Sequence, residues 1–430
     1  MMEWKIHFEK AISFIKEYQS LVDCHLVDFI TENLWHRCLS NSLRFELECH
    51  ETSEQGREYN LKDLRETSLE LDSFFNEAEK LSLKHNPIIT SLNDFCSIPS
   101  EAECINENCK KEKMNFMSDK KKHETEALAI LVAHLAEKNS ISLVIDAGAG
   151  KGYLSTNISQ KYGIPVLGID SSENNIRGAI HRQGMILKKN RKKNLDNNAL
   201  VHYSVQYIDE GTDYNELIRL QFAERNISNN YILSGLHTCG QLAHTMIKQF
   251  LRNPCLKCIC VVPCCYHLTE ESLTSGCNLS KNARMIAQQS VERSESKNSD
   301  DAHPPSLFYR TLLQVLLQSL GIPNAKIGRG APTKDFPTYA QWALEKVGVE
   351  SEKIPSIEAL IKLYQTYSSL HWKFNIFHSM RIHLGSVVEA AIVLDRVVFI
   401  QASNICSEVA LIRLFDPLIS PRCYAIVALK

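Results

Sequence analysis

Three glycines at alternate positions, followed by an acid eighteen residues after the last of them, could bind a nucleoside. The segment Asp146-Ala-Gly-Ala-Gly-Lys-Gly152 follows the apolar run 141–145 and precedes Tyr153, where the sequence predicts a helix. A strand, glycine turn and helix in this order present backbone N–H groups to a nucleotide-like ligand. Asp170 ends the next apolar run, where a carboxylate can accept hydrogen bonds from a ribose diol. We therefore predict a cofactor site that contains Asp146, Gly148, Gly150, Gly152 and Asp170.

Two further predicted strands are each followed by histidine and cysteine. The segment 235–240 contains His237, and the segment 263–267 ends in His267. Ligands of open parallel sheets lie at the carboxyl ends of the strands, and imidazole titrates near neutral pH. His237 and His267 are therefore candidate general bases that take a proton from a hydroxyl or an amine. The alternative is that both side chains only close their turns by hydrogen bonds.

Basic residues stand at two predicted helix ends. Lys120, Lys121 and His123 precede the apolar run 127–136. The three lysines of the segment Lys120–Lys122 stand at a helix N-terminus, where they oppose the helix dipole. This placement indicates an anionic partner, so Lys121 and His123 are candidate cofactor residues, although a solvated helix start would look the same. The run Lys188–Lys193 is interpreted as a solvated, mobile loop, with a nucleic-acid contact as the alternative.

Four cysteines raise the question of a zinc site. Cys255 and Cys258 are spaced as a metal-binding pair, and Cys264 and Cys265 follow. Cys258 lies inside a predicted strand, however, and adjacent cysteines do not have the spacing of a zinc knuckle. We therefore predict buried free thiols and no bound metal, and the sequence leaves metal binding by these four residues open.

The elements that position these residues predict an α/β fold. Predicted strands at 141–145, 164–169, 204–208, 231–235 and 258–262 alternate with helical segments, a pattern that is typical of a parallel sheet with helices on both faces. Residues 408–415 and 423–429 add a terminal antiparallel hairpin. Residues 1–95 are predicted to form a helical N-terminal domain, 96–116 a linker, and 117–430 the α/β domain, with a flexible insertion at about 269–305.

Composition limits the partners. The 48 basic and 50 acidic residues nearly cancel, so binding to nucleic acid would depend on local segments. The fifteen cysteines form no disulfide-like framework, and neither a signal peptide nor a long apolar stretch is evident. We therefore expect an intracellular protein, cytoplasmic or nuclear, with reduced thiols and no membrane contact.

Taken together, the motifs resemble one family. The segment 146–152 resembles motif I of S-adenosylmethionine (SAM) dependent methyltransferases, and Asp170 matches their motif II acid. With the segments 117–124, 235–240, 264–267 and 416–422, they resemble the methyltransferase-like 25 group, which includes the proteins called ribosomal RNA adenine dimethylase domain-containing. The resemblance implies a Rossmann-like class I methyltransferase that uses SAM and carries a terminal strand hairpin.

The same resemblance directs the substrate prediction. The histidine and cysteine segments are similar to those of the tRNA 2′-O-methyltransferase that modifies the acceptor stem, which implies RNA hydroxyls or bases as acceptors. Leu236-His-Thr-Cys239 stands where N6-adenine dimethylases carry an Asn-x-Pro-Tyr-like motif, so adenine dimethylation is not favoured. The leading hypothesis is RNA methylation with phosphate contacts from Lys120–Lys122 and Lys188–Lys193. A protein acceptor, or a non-catalytic module that binds SAM or RNA, are the alternatives.

Overall fold

Contacts within the chain group it into two units. The computed structural model describes residues 2–49, 61–98, 117–192, 200–225, 227–296 and 304–430. One unit comprises Met1–Glu9, Asn86–Asn278 and Ala390–Lys430; the other comprises Lys10–His85 and Leu279–Glu389. The second unit thus combines the predicted N-terminal helices with residues 279–389, which the sequence assigned to the α/β domain. Most of the predicted linker, residues 99–116, lies outside the described residues.

The helices of the described chain, in order, are α1 (Met2–Glu17), α2 (Gln19–Asp23), α3 (Leu34–Cys38), α4 (Asn41–Cys49), α5 (Leu61–Thr67), α6 (Leu69–Leu81), α7 (Leu92–Phe95), α8 (Asp119–Lys138), α9 (Tyr153–Tyr162), α10 (Glu173–Lys192), α11 (Tyr214–Gln221), α12 (Leu242–Arg252), α13 (Lys281–Ile286), α14 (Val291–Glu295), α15 (Pro305–Ser319), α16 (Phe336–Val347), α17 (Ile357–Tyr367) and α18 (His371–Ala402). None of these helices combines the length and the apolar character that crossing a membrane requires.

The first unit contains the sheet. Its strands are β1 (Thr90–Ser91), β2 (Leu143–Ala147), β3 (Val166–Asp170), β4 (Val201–Val205), β5 (Tyr231–Cys239), β6 (Leu256–Cys264), β7 (Glu408–Arg413) and β8 (Tyr424–Leu429). They are ordered β1-β7-β8-β6-β5-β2-β3-β4. The pairs from β4 to β6 are parallel, whereas β8 lies antiparallel between β6 and β7. The predicted α/β class and the terminal hairpin are therefore confirmed.

The strand order also explains where ligands can bind. From β2 the chain moves outward through β3 and β4, and then returns to the other side of β2 to form β5 and β6. Because such crossovers are right-handed, this reversal puts α12 on the opposite face of the sheet from α9 and α10. Asp146 is in register with Gly168 on one side and with Ser234 on the other. The carboxyl ends of β2, β3 and β5 therefore meet at the switch point, where open α/β sheets bind ligands.

Burial accounts for the strand sequences. Every residue of β2 and β8 is buried, and β6 is buried except at Lys257. Strands covered on both faces become nearly continuous apolar runs, which is why they could be predicted from the sequence. The exception is β4, which was predicted at 204–208 and lies at Val201–Val205. Only Val201 of this edge strand is buried, so its apolar pattern is too weak to fix its limits.

Two segments that were predicted to be loops are partly helical in the structure. The basic run predicted as a mobile loop continues α10 as far as Lys192, because lysine and arginine are good helix formers. The insertion predicted to be flexible contains α13 and α14, whose first turns are capped by Ser280 and Ser290. Within the predicted helical N-terminal domain, α5 and α6 are separated at Ser68, whose hydroxyl caps α6. Helix capping by serine and the helix propensity of lysine and arginine account for these differences.

Candidate active site

A cavity of about 370 Å³ lies at the carboxyl ends of β3, β4 and β5. Its lining includes Gly148 and Asp170, both predicted from the sequence. The remaining lining residues come mainly from the segment after β4 and from the start of α12. They are Ile169, Ser171, Gln206, Tyr207, Ile208, Asp209, Glu210, Cys239, Gln241, Leu242 and Thr245. The segment after β4 was not predicted to belong to the site, because its residues 206–210 match no known binding motif.

The glycine turn between β2 and α9 adopts a backbone that other residues rarely take. Gly148, Gly150 and Gly152 all have positive φ, at 74°, 55° and 67°. At Gly152 an added Cβ would lie 2.1 Å from the hydroxyl oxygen of Tyr203, so no larger residue fits without displacing that ring. The glycine spacing therefore reflects both backbone conformation and the close approach of β4 to the turn.

Asp170 is oriented by three hydrogen bonds. The amide of Gly150 donates to Oδ2 at 2.9 Å, while the amide of Ser172 and the side chain of Asn175 donate to Oδ1 at 2.8 and 3.1 Å. A carboxylate offers about four acceptor positions, so Oδ2 keeps one for a ligand. The predicted ribose contact fits this arrangement for one hydroxyl. A second ribose bond would require one of the protein donors to move.

Asp146 lies behind the glycine turn rather than in the cavity. Its side chain is 1% exposed and accepts a hydrogen bond from the Ser155 hydroxyl at 2.5 Å. This bond ties the end of β2 to the first turns of α9. Burial raises the pKa of Asp146 to about 6, against the lowering effect of the Ser155 hydrogen bond. The structure therefore places Asp146 as a support of the turn.

Two cations lie against Tyr153, the first residue of α9. The ammonium of Lys121 is 4.3 Å from the ring centroid, and the guanidinium of Arg182 is 4.1 Å from it. Arg182 also donates to the carbonyl of Gly152 at 3.2 Å, and burial lowers its pKa. Lys121 was predicted from the sequence, whereas Arg182 was missed because it lies thirty residues beyond the turn. Both contacts place positive charge beside the glycine turn.

The second predicted cofactor residue of α8, His123, has a different position. Its Nε2 accepts a hydrogen bond from the amide of Asp416 at 3.1 Å, and its ring packs against Phe415. His123 is not among the residues that line the cavity. It therefore connects α8 to the turn between β7 and β8.

The cavity matches the parts of a nucleoside cofactor. Asp170 keeps an acceptor position for a ribose hydroxyl. Tyr207 lines the cavity with 73% of its surface exposed, which leaves its ring available to stack on a base. Ile169 and Ile208 are buried side chains in the same lining. A hydrogen-bond acceptor, an aromatic ring and apolar side chains are the polar and packing groups that the adenosine half of SAM requires.

Glu124 and His237 form a pair near Cys239, which lines the cavity. Nε2 of His237 lies 3.2 Å from Oε2 of Glu124, and the Ser420 hydroxyl donates to Oε1 at 2.6 Å. Burial alone would raise the pKa of Glu124, but the hydrogen bonds from His237 and Ser420 outweigh it and hold the pKa below its usual range. The ammonium of Lys120 lies 3.7 Å from Oε1 as well. The carboxylate of Glu124 is therefore charged when it contacts the imidazole.

The charge on Glu124 fixes the tautomer of His237. An ionised carboxylate only accepts hydrogen bonds, so Nε2 must carry the proton. In the neutral imidazole, Nδ1 is then the nitrogen that keeps its lone pair. The side chain of His237 is 42% exposed, while that of Glu124 is 3% exposed. A histidine oriented by a buried carboxylate, with its second nitrogen available, is the arrangement of a general base.

Three thiols meet next to His237. Cys239 lies two residues after His237 in β5. The Sγ atom of Cys239 is 3.2 Å from that of Cys264 and 3.4 Å from that of Cys265. The hydrogen bond from Cys264 lowers the pKa of Cys239 to about 6. His267 lies nearby in the short 3₁₀ helix Tyr266–Leu268. Cys258, by contrast, is fully buried in β6, and burial raises its pKa well above the usual value.

The basic segments are only partly described. Lys120 pairs with Glu124, Lys121 contacts Tyr153, and Lys122 is exposed. Lys188 is exposed on α10, and the side chains of the rest of that run lie outside the described residues. Of the predicted cations, Lys120 and Lys121 therefore belong to the surroundings of the glycine turn and the His237 pair.

Comparisons with known proteins identify the domain. Residues 120–272 match the family model described as a methyltransferase domain, which covers the glycine turn, Glu124, His237 and the three thiols. The chain is 25% identical to probable methyltransferase-like protein 25 of Homo sapiens, over 97% of this chain and 96% of the relative. It is 23% identical to the Mus musculus protein of the same name, over 97% and 95%.

Among solved structures, the plantazolicin methyltransferase BpumL in complex with SAH is 16% identical, over 70% of this chain and 95% of that one, with a TM-score of 0.22. An overlap at this score supports no conclusion about substrate. The assignment depends instead on the matched domain and on the relatives, which agree with the geometry of the cavity and the glycine turn. The chain contains a class I, SAM-dependent methyltransferase domain and is similar over almost its full length to methyltransferase-like protein 25.

Proposed function

We propose that this enzyme methylates a hydroxyl or amine of RNA, with Nδ1 of His237 as the general base. The observation that carries the proposal is the hydrogen bond of 3.2 Å between His237 and the buried, ionised Glu124. A methyltransferase that acts on an already nucleophilic atom needs no such pair. An acceptor that must lose a proton benefits from a base in this position.

In the proposed reaction, different residues bind the cofactor, accept the proton and orient the base. Asp170 and the cavity lining hold the cofactor, which supplies an electrophilic methyl group when bound. Nδ1 of His237 would take the proton of the acceptor as the acceptor atom bonds to the methyl carbon and the bond from that carbon to the sulfonium sulfur breaks, which leaves S-adenosylhomocysteine. Glu124 stabilises the resulting imidazolium and keeps the ring in one orientation, and Ser420 orients Glu124. General bases of this kind contribute about 10²–10⁴-fold to the rate.

RNA as the acceptor is supported by local charge. The net charge of −2 gives the whole chain no attraction to phosphate, so the attraction must come from individual cations. Lys122 and Lys188 are exposed and have no carboxylate to neutralise them among the ion pairs of the described residues. These lysines, with the neighbouring segments Lys120–Lys122 and Lys188–Lys193, are the proposed phosphate contacts.

The test is transfer of labelled methyl from SAM into cell extract, with nuclease or protease treatment afterwards. We expect label that nuclease removes and that His237→Asn reduces by at least about a hundredfold. Label that only protease removes would show a protein acceptor. The third outcome is that the wild type, at concentrations where it binds SAM, transfers no more label than the Asp170→Ala control. That result would show a non-catalytic binding module.

A further inference from the structure

Three sulfur atoms form a compact triangle at the end of β5 and β6. The Sγ atoms of Cys239, Cys264 and Cys265 are separated by 3.2, 3.4 and 3.9 Å. Sulfurs in a tetrahedral zinc site, with Zn–S bonds of about 2.3 Å, stand about 3.8 Å apart. The triangle is therefore close to the size that one zinc ion requires, and each sulfur would move by only a few tenths of an ångström.

The backbone is arranged to bring these thiols together. A register shift in β5 between Gly235 and Thr238 sets Cys239 opposite Cys264 in β6. Adjacent residues of a strand point to opposite faces, so Cys264 and Cys265 would normally diverge. Cys265 instead has φ 48° and ψ 48°, which turns its side chain back toward that of Cys264. A cysteine in this region costs about 1–2 kcal/mol in conformational energy, and such residues cluster at functional sites.

The same geometry indicates an open coordination position. In the part of the chain that the structure describes, the compact group of metal-binding side chains here consists of these three thiols alone. Structural zinc sites use four protein ligands, whereas catalytic sites use three and leave the fourth position open. Cys239 is exposed and lines the cofactor cavity, while Cys264 is buried.

We propose that Cys239, Cys264 and Cys265 bind one Zn²⁺ ion, with an exchangeable fourth position that faces the cofactor cavity. This site differs from the one considered from the sequence, since Cys258 is enclosed in β6 and Cys255 lies at the opposite end of that strand. It is also independent of the acceptor, so RNA and protein substrates are equally compatible with it.

The first test is the zinc content of the full-length protein purified under reducing conditions without chelator. We expect about one zinc per chain in the wild type and less than about a tenth of that in Cys239→Ser and Cys265→Ser. Cys255→Ser is the matched control and should retain the metal. Thermal unfolding of all variants separates loss of zinc from loss of fold, and Cys239→Ser is the safer variant because Cys239 is exposed.

The second test replaces zinc with Co²⁺. Three thiolate ligands give strong sulfur-to-cobalt charge-transfer absorption, which should fall in Cys239→Ser and not in Cys255→Ser. Added imidazole should shift the visible bands if the fourth position is exchangeable. The proposal would be overturned if the wild-type protein took up neither Zn²⁺ nor Co²⁺ under reducing conditions. A disulfide between Cys239 and Cys264 instead of a metal site would also overturn it. Zinc that remains bound in both Cys239→Ser and Cys265→Ser would also overturn the proposal.

Discussion

Glu124 and His237 are 113 positions apart in the sequence, yet their side chains meet at 3.2 Å. Glu124 lies in the second turn of α8, and His237 lies near the end of β5. The pair is completed by Ser420, from the turn between β7 and β8. Residues of two other segments, His237 and Ser420, therefore converge on the carboxylate of Glu124, and this convergence is the basis for proposing His237 as a general base.

Replacing Glu124 should reduce the rate without affecting the cofactor. Glu124→Gln keeps the shape of the side chain but removes the charge that stabilises the imidazolium. We expect kcat to fall by about 10²–10⁴-fold, with the SAM dissociation constant unchanged within about twofold. Glu126→Gln is the matched control on the same helix, since Glu126 makes only a surface contact with Lys161 at 3.5 Å. Equal rates for the two variants would exclude the His237 pair from catalysis.

Comparing two glycines separates the loss of stability caused by a clash with Tyr203 from the loss caused by backbone strain. Gly152 and Gly163 share a φ of 67°, but an added Cβ meets Tyr203 only at Gly152, while Gly163 has nothing within 4 Å. Gly163→Ala should cost about 1–2 kcal/mol of unfolding free energy from conformation alone. Gly152→Ala should cost about 1–3 kcal/mol more, because Tyr203 must move. Urea unfolding of both variants measures the difference, and equal losses would show that Tyr203 yields freely.

Asp170 should contribute to cofactor affinity through its remaining acceptor position. A hydrogen bond to a charged group is worth about 1.5–3 kcal/mol, so Asp170→Ala should weaken SAM binding by about 10–150-fold. Isothermal titration with SAM measures this directly. Glu173→Ala is the control, because Glu173 lies on the same segment and pairs only with Arg177 on the surface. Affinity retained in Asp170→Ala would refute the ribose contact.

Much of the fold could be predicted because it depends on burial. Strands such as β2 and β6 are covered on both faces, and their sequences are apolar throughout. The glycine turn could be located because its backbone conformation demands glycine at a fixed spacing, and Asp170 because it ends the next apolar run. These are local requirements, and a single segment reveals them.

The rest depends on contacts between distant segments. Nothing in the sequence around Glu124 distinguishes it from Glu126, because its role comes from His237 and Ser420. The cysteine triangle was not foreseen for a related reason. It requires a register shift in β5 and a left-handed residue at Cys265, and neither follows from cysteine spacing. Asp146 was predicted to belong to the cofactor site, but only the fold shows that it lies at the end of β2, behind the glycine turn.

Asp146 should make stability depend on pH. Its pKa is raised from 3.8 to about 6, chiefly by burial, so the folded state holds a proton that the unfolded state has already released between these values. Stability therefore falls as pH rises through this window and is lowest above about pH 6. Two pKa units correspond to about 3 kcal/mol, so the ionised side chain costs roughly that much at pH 8.

Asp146→Asn should remove this cost. The variant should unfold at higher urea than the wild type, and its advantage should be about 1 kcal/mol larger at pH 8 than at pH 5. The change with pH is the test, because any altered hydrogen bond to Ser155 adds a constant. Glu173→Gln removes an exposed acid and should show no such trend. An advantage that stays constant with pH would mean that the carboxyl of Asp146 does not titrate in this range. A larger advantage at pH 8, together with weaker SAM binding, would show that the enzyme keeps a charged side chain behind the glycine turn at the expense of stability.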